Sequence, residues 1–180
     1  VVSLERPTVA SVHNLPGFSV SAWAALQDCN VPVVQVLHDH YLLCPAGTMY
    51  KHQQNCAKQC STCKMMRLPH KAMSQNISGV ICVSRYILNR HLDAGYFYGV
   101  KNRKVIYNTR TAQELELSEK QESTADVNRP LRFGFIGALN AVKGIELLLK
   151  TYTENNFPGS ELWIAGTGET GYVDKLKCMA

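Results

Sequence analysis

The chain has 180 residues, of which 46% are hydrophobic and 18% charged, with a net charge of +5. That balance describes a globular chain with a sizeable core and excludes a wholly disordered one. No apolar run approaches the ~20 residues that span a bilayer. Val1–Pro7 has neither an initiator Met nor a signal-peptide core, so the expectation is a cytoplasmic piece of a longer protein.

Short apolar runs alternate with amphipathic segments, the pattern of βαβ units with a parallel sheet. Thr8–Val12 reads as a strand ending at His13-Asn14. Val20–Gln27 reads as a helix with a serine near its N-cap and Val20, Trp23 and Leu26 on one face. Val31–Leu37 is apolar enough for a strand buried on both sides. Val80–Val83 is a third strand, and Ser84 caps the helix after it, which stacks Ile87, Leu88, His91 and Leu92 and stops near Gly95. Val105–Tyr107 is a fourth strand.

Thr109–Pro130 is polar and holds most of the local acid, the composition of a linker. The alternation then restarts with a strand at Leu131–Ile136, a helix at Ala141–Tyr152 with Val142, Ile145, Leu148 and Tyr152 in register, and a strand at Leu162–Ala165. The chain ends inside the next helix. The expected organisation is an α/β Rossmann-like parallel-sheet domain over 1–108 lacking its first elements, a linker over 109–130, and the start of a second Rossmann-like domain over 131–180.

Charge is unevenly placed. Between His40 and Leu92 there is no Asp or Glu, while Lys51, Lys58, Lys64, Arg67, Lys71, Arg85 and Arg90 fall in the same stretch. Such one-sided charge suggests an anionic partner: a phosphate, a membrane surface or a nucleic acid. A solvated basic face is the plainer alternative.

In open α/β sheets, ligands bind beyond the carboxyl ends of the strands. The residues there are His13-Asn14, His38-Asp39-His40, Ser84-Arg85, Asn108, Gly137–Lys143 and Gly166–Gly171. In FIGALNAVKGIELLL a strand runs into Gly137, then a loop, then a helical start carrying Lys143. Glycine admits a ligand to the backbone, the helix start offers free N–H groups, and the lysine adds a full positive charge. That combination suits a diphosphate; the plain alternative is an ordinary βα turn. It is not a P-loop, because the Gly-Lys-Ser/Thr order is absent.

The ordered segments VHNLPGFS, PVVQVLHDHYLLCP, VICVS, VIYN, FGFIGALNAVKGIELLL and LWIAGTGE resemble the group 1 glycosyltransferases. The similarity covers the chain apart from the linker. It implies part of a GT-B architecture, in which an acceptor-side domain and a nucleotide-sugar domain face each other across a cleft. It also implies a retaining hexosyltransferase that moves a sugar from a nucleotide-sugar donor to a glycan or lipid-linked acceptor of polysaccharide biosynthesis. No cofactor is implied for the chemistry, and no nucleic-acid partner.

By position, His38 matches the family's histidine beside the donor sugar and is the catalytic candidate. The alternative for a histidine at a strand end is capping of neighbouring backbone. Gly137 and Lys143 match the donor-diphosphate residues. His13, Asn14, Ser84 and Arg85 are acceptor-side candidates, and peripheral membrane contact is expected. Ala138 stands where the family commonly has an arginine. The family's glutamate pair would lie beyond Ala180, so this piece alone should not catalyse.

Cys44, Cys56, Cys60 and Cys63 give C-x11-C-x3-C-x2-C, a spacing that can close a tetrahedral structural zinc site and order a long loop. Disulfides and free thiols are the alternatives. Cys29, Cys82 and Cys178 read as core or incidental. Gly166–Gly171 matches the dinucleotide fingerprint G-x-G-x-x-G, but it follows the second strand of its unit. Two other functions therefore compete with glycosyl transfer: a non-enzymatic zinc-containing nucleic-acid-binding module, and a nicotinamide-dependent oxidoreductase.

Overall fold

A computed structural model describes residues 2–109 and 129–180. The expected linker, apart from its end residues, lies outside the described residues. The chain divides into two compact units, 1–110 and 111–180.

The first unit opens with a short helix α1 (Val2–Glu5), followed by β1 (Ala10–His13), α2 (Ser21–Asp28) and β2 (Val33–Leu37). An insert follows, with the hairpin β3 (Tyr50–Lys51) and β4 (Gln54–Asn55) and the helices α3 (Ser61–Met66) and α4 (Leu68–Met73). It closes with β5 (Gly79–Cys82), α5 (Arg85–Asp93) and β6 (Asn102–Val105). The strands form one parallel sheet in the order β1-β2-β5-β6. An α/β fold of Rossmann-like character is thus present.

β2 is central because its residues tolerate burial on both faces. Val33, Val36 and Leu37 are buried. Gln35 is wholly buried as well, and it is satisfied: Trp23 Nε1 donates to Gln35 Oε1 at 3.0 Å, and Gln35 Nε2 donates to the Val36 carbonyl at 2.9 Å. The fully buried Trp23 carries α2 onto the sheet, and truncating such a residue to Ala costs roughly 3–5 kcal/mol. Ser84 caps α5, accepting from the Ile87 amide at 3.2 Å. Ile87, Leu88 and Leu92 pack on the core beside buried His91.

Several boundaries differ from expectation. β1 begins at Ala10 rather than Thr8. β6 ends at Val105, because its ladder partner β5 ends at Cys82. Ile106 and Tyr107, expected in the strand, are exposed. α2 begins at Ser21 and has no side-chain cap on its N-cap residue Val20. The segment from Cys44 to Gly79, expected as a long polar loop, instead contains the β3–β4 hairpin and two one-turn-scale helices.

The second unit has β7 (Leu131–Ile136), a 3-10 turn (Ala141–Lys143), α6 (Ile145–Glu154), β8 (Ser160–Ala165) and α7 (Thr170–Met179). β7 and β8 pair in parallel over six residues each. The helix expected from Ala141 is broken: Gly144 takes a left-handed conformation with φ +71°, which ends the 3-10 turn and starts α6 at Ile145. The buried register is Ile145 and Leu149 against Leu176 of α7. Val142 is exposed and Leu148 only half-buried. On the sheet face away from this core, Ile136 and Trp163 are exposed. Trp163 lies there under the Arg132 guanidinium, 4.8 Å from its ring centre.

Candidate functional site

The carboxyl edge of the first sheet gathers side chains from two strand ends. His13 ends β1, and His38 follows β2. Their rings stack with centroids 5.2 Å apart, and His13 Nδ1 lies 2.9 Å from His38 Nε2. One proton bridges the two nitrogens, so the tautomer of one ring fixes that of the other. Ser11 Oγ sits 3.2 Å from His13 Nε2, extending the chain of polar groups. His38 is exposed.

Asn14 takes a left-handed conformation (φ +60°), and its Nδ2 donates to Asp39 Oδ2 at 3.3 Å. The other oxygen of Asp39 accepts from the Tyr41 amide at 2.8 Å. Asp39 therefore ties the β1 and β2 loops together beside His38. Only its place in the HDH sequence marked it, without a role. Of the remaining expected residues, Ser84 is engaged as the cap of α5. Arg85 is exposed and has no ion pair among the described residues. The structure brings His13, His38 and Asn14 together, and it gives Ser84 and Arg85 no contact with them.

Behind this edge lies a second histidine pair that sequence reading missed as a pair. His40 and His91 stack at 6.0 Å, with Tyr86 edge-on to His40 at 5.8 Å. Burial holds His91 down to about 4, against a bond to the Ile87 carbonyl that favours its proton. Burial, and then Arg90, lower His40. Both rings are thus neutral near pH 7. His40 Nδ1 and His91 Nε2 have no hydrogen-bond partner among the described residues.

In the second unit, Gly137 follows β7 and donates its amide to the Ala165 carbonyl at 3.0 Å. The loops after β7 and β8 run on side by side: the Leu139 amide donates to the Thr167 carbonyl at 2.8 Å, and Leu139 bridges Gly168 in parallel. A Cβ at Gly166 would overlap the Gly137 carbonyl oxygen, and one at Gly168 the Leu139 carbonyl oxygen. Gly171 has open space around it. The first two glycines of G-x-G-x-x-G thus answer to a close backbone approach between two loops, which accounts for them without a dinucleotide. Lys143 stands in the 3-10 turn at this same edge, exposed and without an ion pair among the described residues.

All the described cysteines are free. Cys60 precedes α3, where the Cys63 amide and then the Cys63 thiol donate to its sulfur and lower its pKa. Cys63 is pushed up to about 12, first by burial and then by its contacts with Cys60 and Cys44. Three of the four thiols expected at a zinc site therefore touch in a line, Cys44–Cys63–Cys60, and Cys56 shares none of these contacts. Among the described residues no three His, Cys, Asp or Glu side chains are set to hold a metal ion.

Among the described residues no helix is long and apolar enough to cross a membrane. No protein-family profile matches the chain. A curated relative, described as an uncharacterized 42.6 kDa protein in the cps region of Klebsiella pneumoniae, is 23% identical over 145 residues. The match covers 81% of this chain and 37% of the relative, so the chain spans little more than a third of that protein.

Proposed function

We propose that the parent protein is a retaining glycosyltransferase of polysaccharide assembly, using a nucleotide-sugar donor. The observation that carries this reading is that each unit is a parallel α/β sheet whose carboxyl edge bears a group suited to one half of the reaction. In the first unit that group is exposed His38, held by His13. In the second it is Lys143, at a glycine-bearing βα turn. The relative's place in a cps, or capsule polysaccharide, region supports the same theme.

Transfer from a nucleotide sugar breaks the bond between the anomeric carbon and the diphosphate oxygen. The leaving diphosphate gains charge as that bond opens, and preorganised positive groups lower the barrier. Lys143 supplies a full positive charge there. With Ala138 in the place of a second cation, Lys143 is the side chain on which this loop's charge depends. His38 hydrogen-bonds a hydroxyl of the donor sugar and so fixes the orientation of the reacting centre. With His38 Nε2 engaged by His13, Nδ1 is the nitrogen left for the sugar, and the bridging proton sets whether it donates or accepts.

The test is direct. Full-length protein is incubated with a panel of labelled nucleotide sugars and a lipid-linked or glycan acceptor, and the product linkage is assigned by NMR. A new glycosidic bond with the donor's anomeric configuration is expected. Inversion of configuration, or turnover that needs a nicotinamide, would overturn the reading.

A further inference from the structure

The insert between β2 and β5 forms a pocket of about 790 Å³ with α5, wholly within the first unit. Lys58, Lys64, Lys71 and Arg90 line it, against the single carboxylate of Asp93. None of the four cations has an ion pair among the described residues. A pocket with four cations and one acid holds a strong positive field, and its low-dielectric walls focus that field.

The cations are not loosely placed. Arg90 donates to the carbonyls of Cys56 (2.8 Å) and Ala57, which fixes the strand-to-α3 loop that carries Lys58. Its Nε is buried and has no partner among the described residues. Lys71 lies across Gly95 so closely that a Cβ there would come within 2.6 Å of its Nζ. Lys64 lies in α3, one residue after half-buried Cys63. Arg67, whose carbonyl accepts from the Tyr96 hydroxyl at 3.3 Å, is buried (7% exposed), with its guanidinium 4.2 Å above the Tyr41 ring and no carboxylate partner among the described residues. It adds to the same potential. Leu43, Met49 and Tyr96 give the pocket an apolar floor. The volume lies in the range of small-molecule sites, and charge above an apolar floor suits a ligand with an anionic head and an apolar body.

We propose that this pocket binds the phosphate of a phosphate-bearing, partly apolar acceptor, with Lys58, Lys64 and Lys71 contacting the phosphate and Leu43, Met49 and Tyr96 its apolar part. Its role as an acceptor site rests on the glycosyltransferase reading; its binding of a phosphate does not. The phosphate could belong to a single soluble molecule or to a lipid at a bilayer surface, and the experiment separates the two.

Full-length protein is titrated with monomeric dodecyl phosphate, with dodecyl maltoside as the uncharged comparison. It is also sedimented with vesicles of phosphatidylglycerol and phosphatidylcholine. Dodecyl phosphate is expected to bind, and the double variant Lys64→Gln/Lys71→Gln to weaken it by about tenfold or more. Both side chains are exposed, so the melting temperature should not change. Lys143→Ala should leave this binding intact. Lysine-dependent capture by the vesicles identifies a bilayer source, and dodecyl phosphate binding without vesicle capture a soluble one. Equal affinity of the double variant, equal affinity for dodecyl maltoside, or tighter lysine-dependent binding of a single-stranded oligonucleotide would each overturn the proposal. If the full-length protein forms no new glycosidic bond from any nucleotide sugar while phosphate binding still depends on the lysines, the transferase role fails and the anion site stands.

Discussion

His13 Nδ1 sits 2.9 Å from His38 Nε2, and the two rings stack across the β1–β2 edge. The pairing makes His13 a positioning residue for His38. His38→Ala should lower kcat of the full-length protein by about a hundredfold, the usual cost of losing alignment at a reacting centre. His13→Ala should cost about tenfold, because the orientation and tautomer of His38 are no longer fixed. Steady-state transfer assays check both. An unchanged rate in His38→Ala removes His38 from the reaction.

Lys143 is exposed and unpaired among the described residues, so its removal should not touch the fold. Lys143→Ala should weaken the donor or slow turnover by about tenfold to a hundredfold, as for a lost charge-assisted phosphate contact. Lys143→Arg should restore part of the loss. Calorimetric binding of the nucleoside diphosphate alone separates ground-state affinity from rate. If Lys143→Ala binds and turns over normally, the diphosphate is held elsewhere.

The glycines after β8 offer a test inside one motif. Gly166→Ala and Gly168→Ala both force a methyl into a carbonyl oxygen of the neighbouring loop, and each should destabilise the protein by about 3 kcal/mol. Gly171→Ala enters open space near the start of α7 and should be neutral or stabilising by up to about 1 kcal/mol. Urea unfolding of the three variants decides. Uniform costs at all three positions would contradict the loop-to-loop explanation.

Periodicity made the sheet legible. β2, β5, β7 and β8 announce themselves as apolar runs, and Ser84 caps α5 where its type and position suggest. The insert was not legible, because α3, α4 and the β3–β4 hairpin are too short to leave a period, and Met65, Met66 and Leu68 are exposed. Gly144 broke the expected helix because a single glycine within an apolar repeat reads as tolerated until its left-handed φ is seen. In the site, strand-end logic found His13 and His38 separately. Their contact across 25 residues depends on the parallel pairing of β1 with β2, which no local pattern encodes. Asp39, His40 and His91 were hidden for the same reason: their roles come from packing between elements.

His91 and His70 each fall to about 4, through burial first, and His40 is lowered as well. The unfolded chain takes up these protons near pH 6.5, while the folded chain resists them. The stability they hold is therefore complete above about pH 6.5 and is lost as pH falls toward 4. For His91 the loss is on the order of 3 kcal/mol. Denaturant unfolding between pH 7.5 and 4.5 should show stability falling on the acid side, with a shallower slope in His91→Phe. A flat profile in the parent protein would mean these rings are not buried neutral.

The thiols of the insert differ in reactivity by geometry. Cys60 is lowered by the Cys63 amide at the start of α3, so a larger share of it is thiolate near neutral pH. Cys63 is pushed up to about 12 by burial and by its neighbouring sulfurs, and burial raises Cys82 to about 12. Timed alkylation with iodoacetamide at pH 7.5, read by peptide mass spectrometry, should label Cys60 first and Cys63 and Cys82 more than about tenfold more slowly. Exposed Cys29 and Cys178 serve as internal references. Equal rates at Cys60 and Cys63 would sink the asymmetry. Joint protection of Cys44, Cys56, Cys60 and Cys63 that a chelator lifts would instead establish the metal site that their spacing suggested, because a thiolate bound to zinc neither titrates nor alkylates as a free one.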